Sequence, residues 1–191
     1  MAASLMNSDI EASGKPESLE VSDAKEIDEN SEVANKPLQN DVPVLRRAAM
    51  DYLARREHSL YELQQKLITK FPDTDSSILS CVLNKLKTEN LQSDDRFAEA
   101  YVRYRKTRGF GSQHIRADLL SRKVGEELVN QYVFDDDSDW LDITKKQVEK
   151  KLRRHESLQF GSKIHRRLLR FLKSRGFTPS NIQIAVKSYL S

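Results

Sequence analysis

The chain has 191 residues, 32% charged and 38% hydrophobic, with 32 Lys+Arg against 29 Asp+Glu; that is long enough for one or two domains with a real core. Five prolines, six glycines and few β-branched runs speak against a β-protein, and no apolar run approaches the length of a membrane span. No basic-then-apolar segment opens the chain, so export is not expected. The single cysteine, Cys81, excludes an intrachain disulfide framework and fits a reducing cytoplasm.

Residues 1–43 are rich in Ser, Glu, Asp, Asn and Lys, contain no aromatic residue, and are interrupted by Pro16, Pro37 and Pro43. Such a segment cannot bury enough apolar surface to offset its ordering entropy. It reads as a disordered acidic tail; a sharper reading is that its acids mimic nucleic acid and shield the rest. The tail holds 3 Lys and 10 Asp+Glu, leaving 29 Lys+Arg against 19 Asp+Glu in the remainder. A basic body points to an anionic partner, with nucleic acid the first candidate.

From Val44 the character changes. In residues 44–91, Leu45, Ala48, Ala49, Tyr52 and Leu53 make an amphipathic helix. Ser59 with Glu62 is a capping box that opens a second, carrying Leu60, Leu63 and Leu67. Phe71-Pro72-Asp73 ends it, and Asp75 or Ser76 opens a third with Ile78, Leu79, Val82, Leu83 and Leu86. Cys81 falls within that pattern and reads as a buried thiol. In residues 92–136 the order returns. Ser93 or Asp94 caps a helix from Asp94 to Arg108, with Asp94 and Asp95 at its positive end. Phe97, Tyr101 and Tyr104 form one apolar stripe, and Gly109 supplies the left-handed stop. Ile115, Leu119 and Leu120 mark the next helix, and Leu128, Val129, Tyr132 and Val133 the one after, starting near Gly125-Glu126-Glu127. In residues 137–191 the order returns again. Ser138 caps a long helix with Leu141, Val148 and Leu152. Ile164, Leu168, Leu169, Phe171 and Leu172 mark a middle helix that Gly176 ends. Thr178 caps the last, with Pro179 at its first position and Ile182, Ala185, Val186, Tyr189 and Leu190 inside.

Three units of about 45 residues, each a three-helix set, are an internal repeat. Leu119, Val124 and Val129 step by the same interval as Leu172, Phe177 and Ile182, and Leu67, Phe71 and Ile78 approximate it. The expected architecture is all-α: three tandem helix-turn-helix-like repeats, monomeric, in an elongated and curved array.

Nothing in the pattern argues for catalysis. His58, His114, His155 and His165 lie far apart and read as surface or capping residues rather than metal ligands. Gly109-Phe110-Gly111 is too short for a dinucleotide loop and follows no strand. No nucleophile elbow is present, and Asp135-Asp136-Asp137 with Asp139 reads as dipole-favourable residues at a helix start. No cofactor is expected. The informative feature is basic surface. Arg103, Arg105, Lys106 and Arg108 crowd the end of the central helix. From Trp140 to Arg175 there are 12 Lys+Arg against 3 Asp+Glu. Lys146, Lys150, Arg153 and Arg154 share one helix face, and Lys163, Arg166, Arg167 and Arg170 another. Such a stripe attracts phosphates by counterion release with little sequence preference. A helix-turn-helix transcriptional regulator is the alternative, with 94–109 and 112–122 as its helix pair. Few base-reading side chains stand at the exposed start of the second helices.

The central stretch resembles the signature of the RecX family, regulators of the recombinase RecA, in Ser93-Asp94, Arg96-Phe97-Ala98, Tyr101, Arg105, Gly109, Gly111, Ile115 and Leu119. Tyr52-Leu53-Ala54-Arg55-Arg56-Glu57-His58-Ser59, Glu62-Leu63 and Lys66-Leu67 add to it, as do Arg170-Phe171-Leu172 and Arg175-Gly176-Phe177. The resemblance spans residues 44–190. It implies tandem three-helix repeats in a curved molecule and a non-enzymatic activity: binding the RecA filament on DNA, single-stranded first and double-stranded second, in its groove, and lowering its ATPase, strand-exchange and coprotease activities. Arg122-Lys123-Val124-Gly125 stands where a Lys-Gly-Ile-like turn is usual, so this turn is expected to be built differently. Arg55, Arg56, Arg96 and Arg105 are left open between intramolecular partners and filament contacts, with Arg105 and Arg108 favoured as contacts over Arg96.

Overall fold

A computed structural model describes residues 41–134, 138–152 and 158–190. The acidic segment up to residue 40 lies outside them, as do Asp135–Asp137. The described residues form nine helices: α1 (Asp41–Leu53), α2 (Leu60–Lys70), α3 (Ser76–Thr88), α4 (Asp94–Thr107), α5 (Ser112–Ser121), α6 (Glu126–Tyr132), α7 (Asp139–Lys151), α8 (Lys163–Ser174) and α9 (Pro179–Lys187). The first begins at Asp41, so residues 41–43 are helix and not tail.

The helix starts follow local chemistry. Ser59, Asp75, Ser93, Ser162 and Thr178 each accept a backbone N–H of the first turn through their side chains. Ser138 does not: it precedes α7 in a helical conformation and makes no capping bond. Glu62 also leaves its expected place in a capping box, since its carboxylate holds Arg56 and Arg122 instead.

Each three-helix set has its own core. Leu45, Leu63, Leu67, Val82 and Leu86 belong to the first, Phe97, Ile115, Leu119, Val124 and Val129 to the second, and Val148, Leu168, Leu172, Phe177 and Ile182 to the third. In each set the first helix packs most extensively on the third. Trp140, in the first turn of α7, is buried in the second core, and Ile143 touches both the second and the third. One helix therefore serves two repeats.

Two phases differ from the sequence reading. Cys81 is exposed. Leu79, Val82, Leu83 and Leu86 already fill the inward stripe of α3, and position 81 falls on the opposite side. Tyr104 is 54% exposed, so the apolar stripe of α4 runs through Phe97, Ala98 and Val102.

The turn after α5 is built like its counterpart after α8. Val124 N–H reaches Leu119 C=O at 3.2 Å as Phe177 N–H reaches Leu172 C=O at 3.3 Å. Lys123 adopts φ +59 where the third repeat has Gly176 at φ +81. The expectation of a different turn is thus overturned: tertiary packing of Val124 holds a lysine in the left-handed region, at a cost on the order of 1 kcal/mol.

The strongest helix pairs all lie within a repeat, and apart from the start of α7 in the second core the repeats meet through their turns. Ser59, which opens α2, donates its hydroxyl to Arg122 C=O, at the end of α5, at 3.1 Å. Gly111 and Gln113, at the start of α5, donate N–H groups to Arg175 C=O and Gly176 C=O, at the end of α8, at 2.8 and 3.0 Å. At both joints the N-terminus of a middle helix meets the C-terminus of the next repeat's middle helix, which pairs opposite dipole ends.

Candidate functional site

The cations of α4 divide into outward and inward. Arg103 is exposed and faces Glu99 at 3.7 Å. Arg108, which ends α4, is exposed and lies 5.8 Å from the Tyr104 ring. Lys106 reaches Asp139 at 3.1 Å and lies 4.4 Å from the Trp140 ring, tying α4 to the start of α7. Arg105 points inward: it donates to Asp118 at 2.5 Å and to His114 Nε2 at 2.6 Å, with its guanidinium 3.7 Å from the Phe110 ring. Tyr101 donates its hydroxyl to the same Asp118 oxygen at 2.6 Å. Burial alone would push the Asp118 carboxyl up. Hydrogen bonds from Tyr101 and Arg105, with the charges of Arg105 and His114, outweigh it and hold the group below the usual carboxylate range. Burial, then the bond to Asp118, pushes Tyr101 up to about 12. Arg105 is therefore part of an internal knot.

The signature residues around it are also turned inward. Asp94 does not cap α4; its carboxylate accepts Leu60 N–H of α2 at 2.8 Å and Gln92 Nε2 at 2.9 Å. Gln92, 2% exposed, also donates to His58 C=O at 3.2 Å. Arg96 donates to Glu57 at 2.8 Å and to Asn90 and the Leu91 carbonyl. Glu62 bridges Arg56 and Arg122 at 2.9 and 2.8 Å. His58 and His165 are buried rather than surface residues. Burial is the main cause holding His58 below its ordinary value.

The third repeat is different. Lys146, Lys150, Lys163, Arg166, Arg167 and Arg170 are all exposed. Among the described residues none of them has a carboxylate partner, whereas Arg46, Arg56, Arg96, Arg105 and Arg122 all do. Arg153 and Arg154 lie outside the described residues. The remaining cations form two faces. Lys150 and Arg167 meet, together with Lys151, in a groove of about 560 Å³ between α7 and α8, floored by Leu152, Ile164, Leu168 and Phe171. Lys163, Arg166 and Arg170 line a separate cleft of about 470 Å³ with Leu169. Lys146 lines neither cleft.

Lys151 and Arg175 were counted in the basic stretch from Trp140 to Arg175, but sequence reasoning assigned neither to a face. Lys151 lies 4.5 Å from the Phe171 ring. Arg175 lies 4.5 Å from Phe110 and 5.3 Å from Phe171. The available signal was position: Arg175 follows Leu172 as Arg122 follows Leu119, so both end a middle helix where the preceding repeat docks.

The N-termini of α2 and α5 are occupied. Ser59 and Gly111 are buried and bonded to the following repeat, and Gln113 N–H is bonded to it as well, so these helix starts are not available to enter a major groove as a helix-turn-helix reader requires.

Comparison with known proteins places this arrangement. The family model for the second three-helix domain of RecX matches residues 93–133. A regulatory protein RecX of Vibrio parahaemolyticus is 31% identical over 142 residues, covering 74% of this chain and 88% of the relative. The chain belongs to the RecX family. A RecX of Pseudomonas entomophila is 34% identical over 140 residues, 72% of this chain and 87% of the relative. The crystal structure of RecX from Lactobacillus salivarius superposes with a TM-score of 0.66 at 20% identity, covering 79% of this chain and 97% of that one, so the fold is shared. The RecX domain match spans Ser93, Asp94, Arg96, Gly109 and Gly111, which here cap, bridge or join repeats. The unpaired cations of α7 and α8 lie beyond it.

Proposed function

We propose that this RecX-family chain is a cytoplasmic, non-enzymatic negative modulator of RecA. It binds the RecA–DNA filament in its groove as a monomer and without a cofactor. It lowers the filament's ATPase, strand-exchange and coprotease activities. The observation that carries the reading is the unpartnered basic surface of α7 and α8 on a chain whose half-buried Arg46, Arg96, Arg105 and Arg122 are paired with carboxylates. Such a surface favours phosphate or acidic protein. No helix among the described residues is long and apolar enough to cross a membrane.

Occupying a filament groove inhibits only if the bound protein prefers one filament state over another. Three modules joined in series supply several contact points, so small preferences at each add into one bias against the protomer motions that accompany ATP hydrolysis. Purified protein titrated into RecA on single-stranded DNA inhibits ATPase at or below equimolar ratio. A double charge reversal, Lys150→Glu with Arg167→Glu, weakens that inhibition at least tenfold. Wild-type protein without effect at molar excess would refute the reading.

A further inference from the structure

The joint between the second and third repeats has a feature that no charge explains. Gly111 has an ordinary backbone, so its turn does not need glycine. A Cβ at this position would nevertheless sit 2.4 Å from the Gly176 carbonyl oxygen and 2.6 Å from Phe177 N. Across the joint, a Cβ on Gly176 would meet His114 N at 2.3 Å. The two repeats thus touch backbone to backbone, sealed by the bonds Gly111 N–H to Arg175 C=O and Gln113 N–H to Gly176 C=O. Gly125, which opens α6, has nothing within 4 Å of its Cβ position.

Cations and rings run through this joint in one contact series. Arg175 donates to Arg108 C=O at 3.5 Å. Its guanidinium lies over Phe110 of the second repeat and Phe171 of the third. Phe171 in turn carries Lys151 at 4.5 Å and lines the groove of Lys150 and Arg167. Arg175, Lys151, Lys150 and Arg167 therefore form a file along the third repeat, and Arg108 of the second repeat, whose backbone carbonyl Arg175 holds, adds an exposed guanidinium beside Tyr104 at its head. Among the described residues none of these five has a carboxylate partner.

We propose that Gly111 and Arg175 are positioning residues that weld the second and third repeats, and that the weld makes a single track for a single-stranded polynucleotide out of cations from both. The inference rests on the filament-binding reading and adds its ligand track. A file of separated cations beside aromatic rings follows a flexible phosphate backbone, whereas a compact cluster would be expected for one carboxylate. If the repeats pivot, Arg108 leaves register with Lys150 and Arg167, and a strand can neutralise only one set.

The test uses the full chain and fluorescein-labelled oligothymidylate without RecA. Gly111→Ala removes no charge, yet weakens binding about tenfold and makes the salt dependence shallower by at least ~0.7 per lost phosphate contact. Gly125→Ala leaves both unchanged. Arg175→Lys keeps the charge but cannot lie flat over two rings, and loses most of the affinity that Arg175→Ala loses. In a Cys81→Ser background, spin labels at Ala117→Cys on α5 and Ser180→Cys on α9 give one narrow distance that broadens with Gly111→Ala. The circular-dichroism spectrum stays helical, because each repeat has its own core. Equal affinity of the Gly111→Ala and Gly125→Ala proteins overturns the proposal, as does full affinity in Arg175→Lys. Absence of oligothymidylate binding by a wild-type protein that inhibits RecA assigns the file to an acidic protein surface and also overturns it. A wild-type protein that binds the oligonucleotide but leaves RecA ATPase untouched sinks the functional reading alone.

Discussion

Asp118→Asn isolates the knot that fixes α4 to α5. The side chain keeps its size and loses its charge: the amide oxygen replaces the one carboxylate oxygen that Tyr101 and Arg105 share, as a neutral and weaker acceptor, and the amide nitrogen takes the place of Oδ1, which faces Arg122 at 3.8 Å. Asp118 and Arg105 are 23% and 19% exposed in their side chains, so solvent screening does not erase the pair. A hydrogen bond to a charged partner is worth about 1.5–3 kcal/mol. Two such bonds, from Tyr101 and Arg105, share one oxygen and do not add, so the expected loss is about 2 kcal/mol. At an m value of about 2 kcal/mol/M this lowers the urea midpoint by ~1 M. Trp140 is the only tryptophan and is buried in the second repeat's core, so its fluorescence reports unfolding of the repeat that holds the knot. The depressed Asp118 carboxyl stabilises the fold at pH values above the ordinary carboxylate range, and that stabilisation is lost as pH falls through its lower folded value. The gap between wild type and variant should therefore close in acid. A midpoint change below ~0.25 M at pH 7 would show that the pair behaves like an exposed salt bridge and would end the argument that Arg105 is structural.

Lys123 and Gly176 occupy the same turn position with opposite constraints. Lys123→Gly relieves left-handed strain in an exposed side chain and should raise stability by about 0.5–1 kcal/mol in thermal melts. Gly176→Ala meets His114 backbone at 2.3 Å and should lower it by more than ~2 kcal/mol. His58 is held below its ordinary value chiefly by burial, so folding favours its neutral form. Stability present above that ordinary value falls as pH drops below it. Denaturant midpoints between pH 7 and 5 should decline in wild type and stay flat in His58→Asn; a parallel decline would place the titrating group elsewhere.

What was legible in the sequence was local. Ser59, Asp75, Ser93 and Thr178 cap because a short polar side chain next to a free N–H is a matter of one turn. Leu119, Val124 and Val129 mark a core because their interval repeats at Leu172, Phe177 and Ile182. The basic surface of α8 was legible because α8 contains no acid at all. Where pattern failed, the deciding partner was distant or the phase was ambiguous. Asp94 stands where any helix would welcome an acid, and only the fold reveals that it serves Leu60, 34 residues away. Arg105 belonged by composition with Arg103 and Arg108, yet its acceptor Asp118 faces it from the next helix. Cys81 sat among apolar neighbours one step out of phase.

The two inter-repeat joints use the same relation and different chemistry, and this bears on what the signature encodes. At the first joint a side chain, Ser59, reaches the end of the following middle helix, supported by Asp94, Gln92, Arg96 and Glu62. At the second, backbone meets backbone and only glycine fits. A hydroxyl with polar neighbours tolerates small displacement, because each bond can lengthen without a clash. A glycine contact does not, because any added atom separates the repeats outright. Asp94, Arg96, Gly109 and Gly111 thus specify how modules sit against one another, Ser93 and Arg105 hold the second module itself, and the unpaired cations of α7 and α8 lie outside the matched domain. Substituting the motif should disturb binding only through geometry, and substituting the cations only through charge, so a variant set drawn from each class separates the scaffold from the surface it presents.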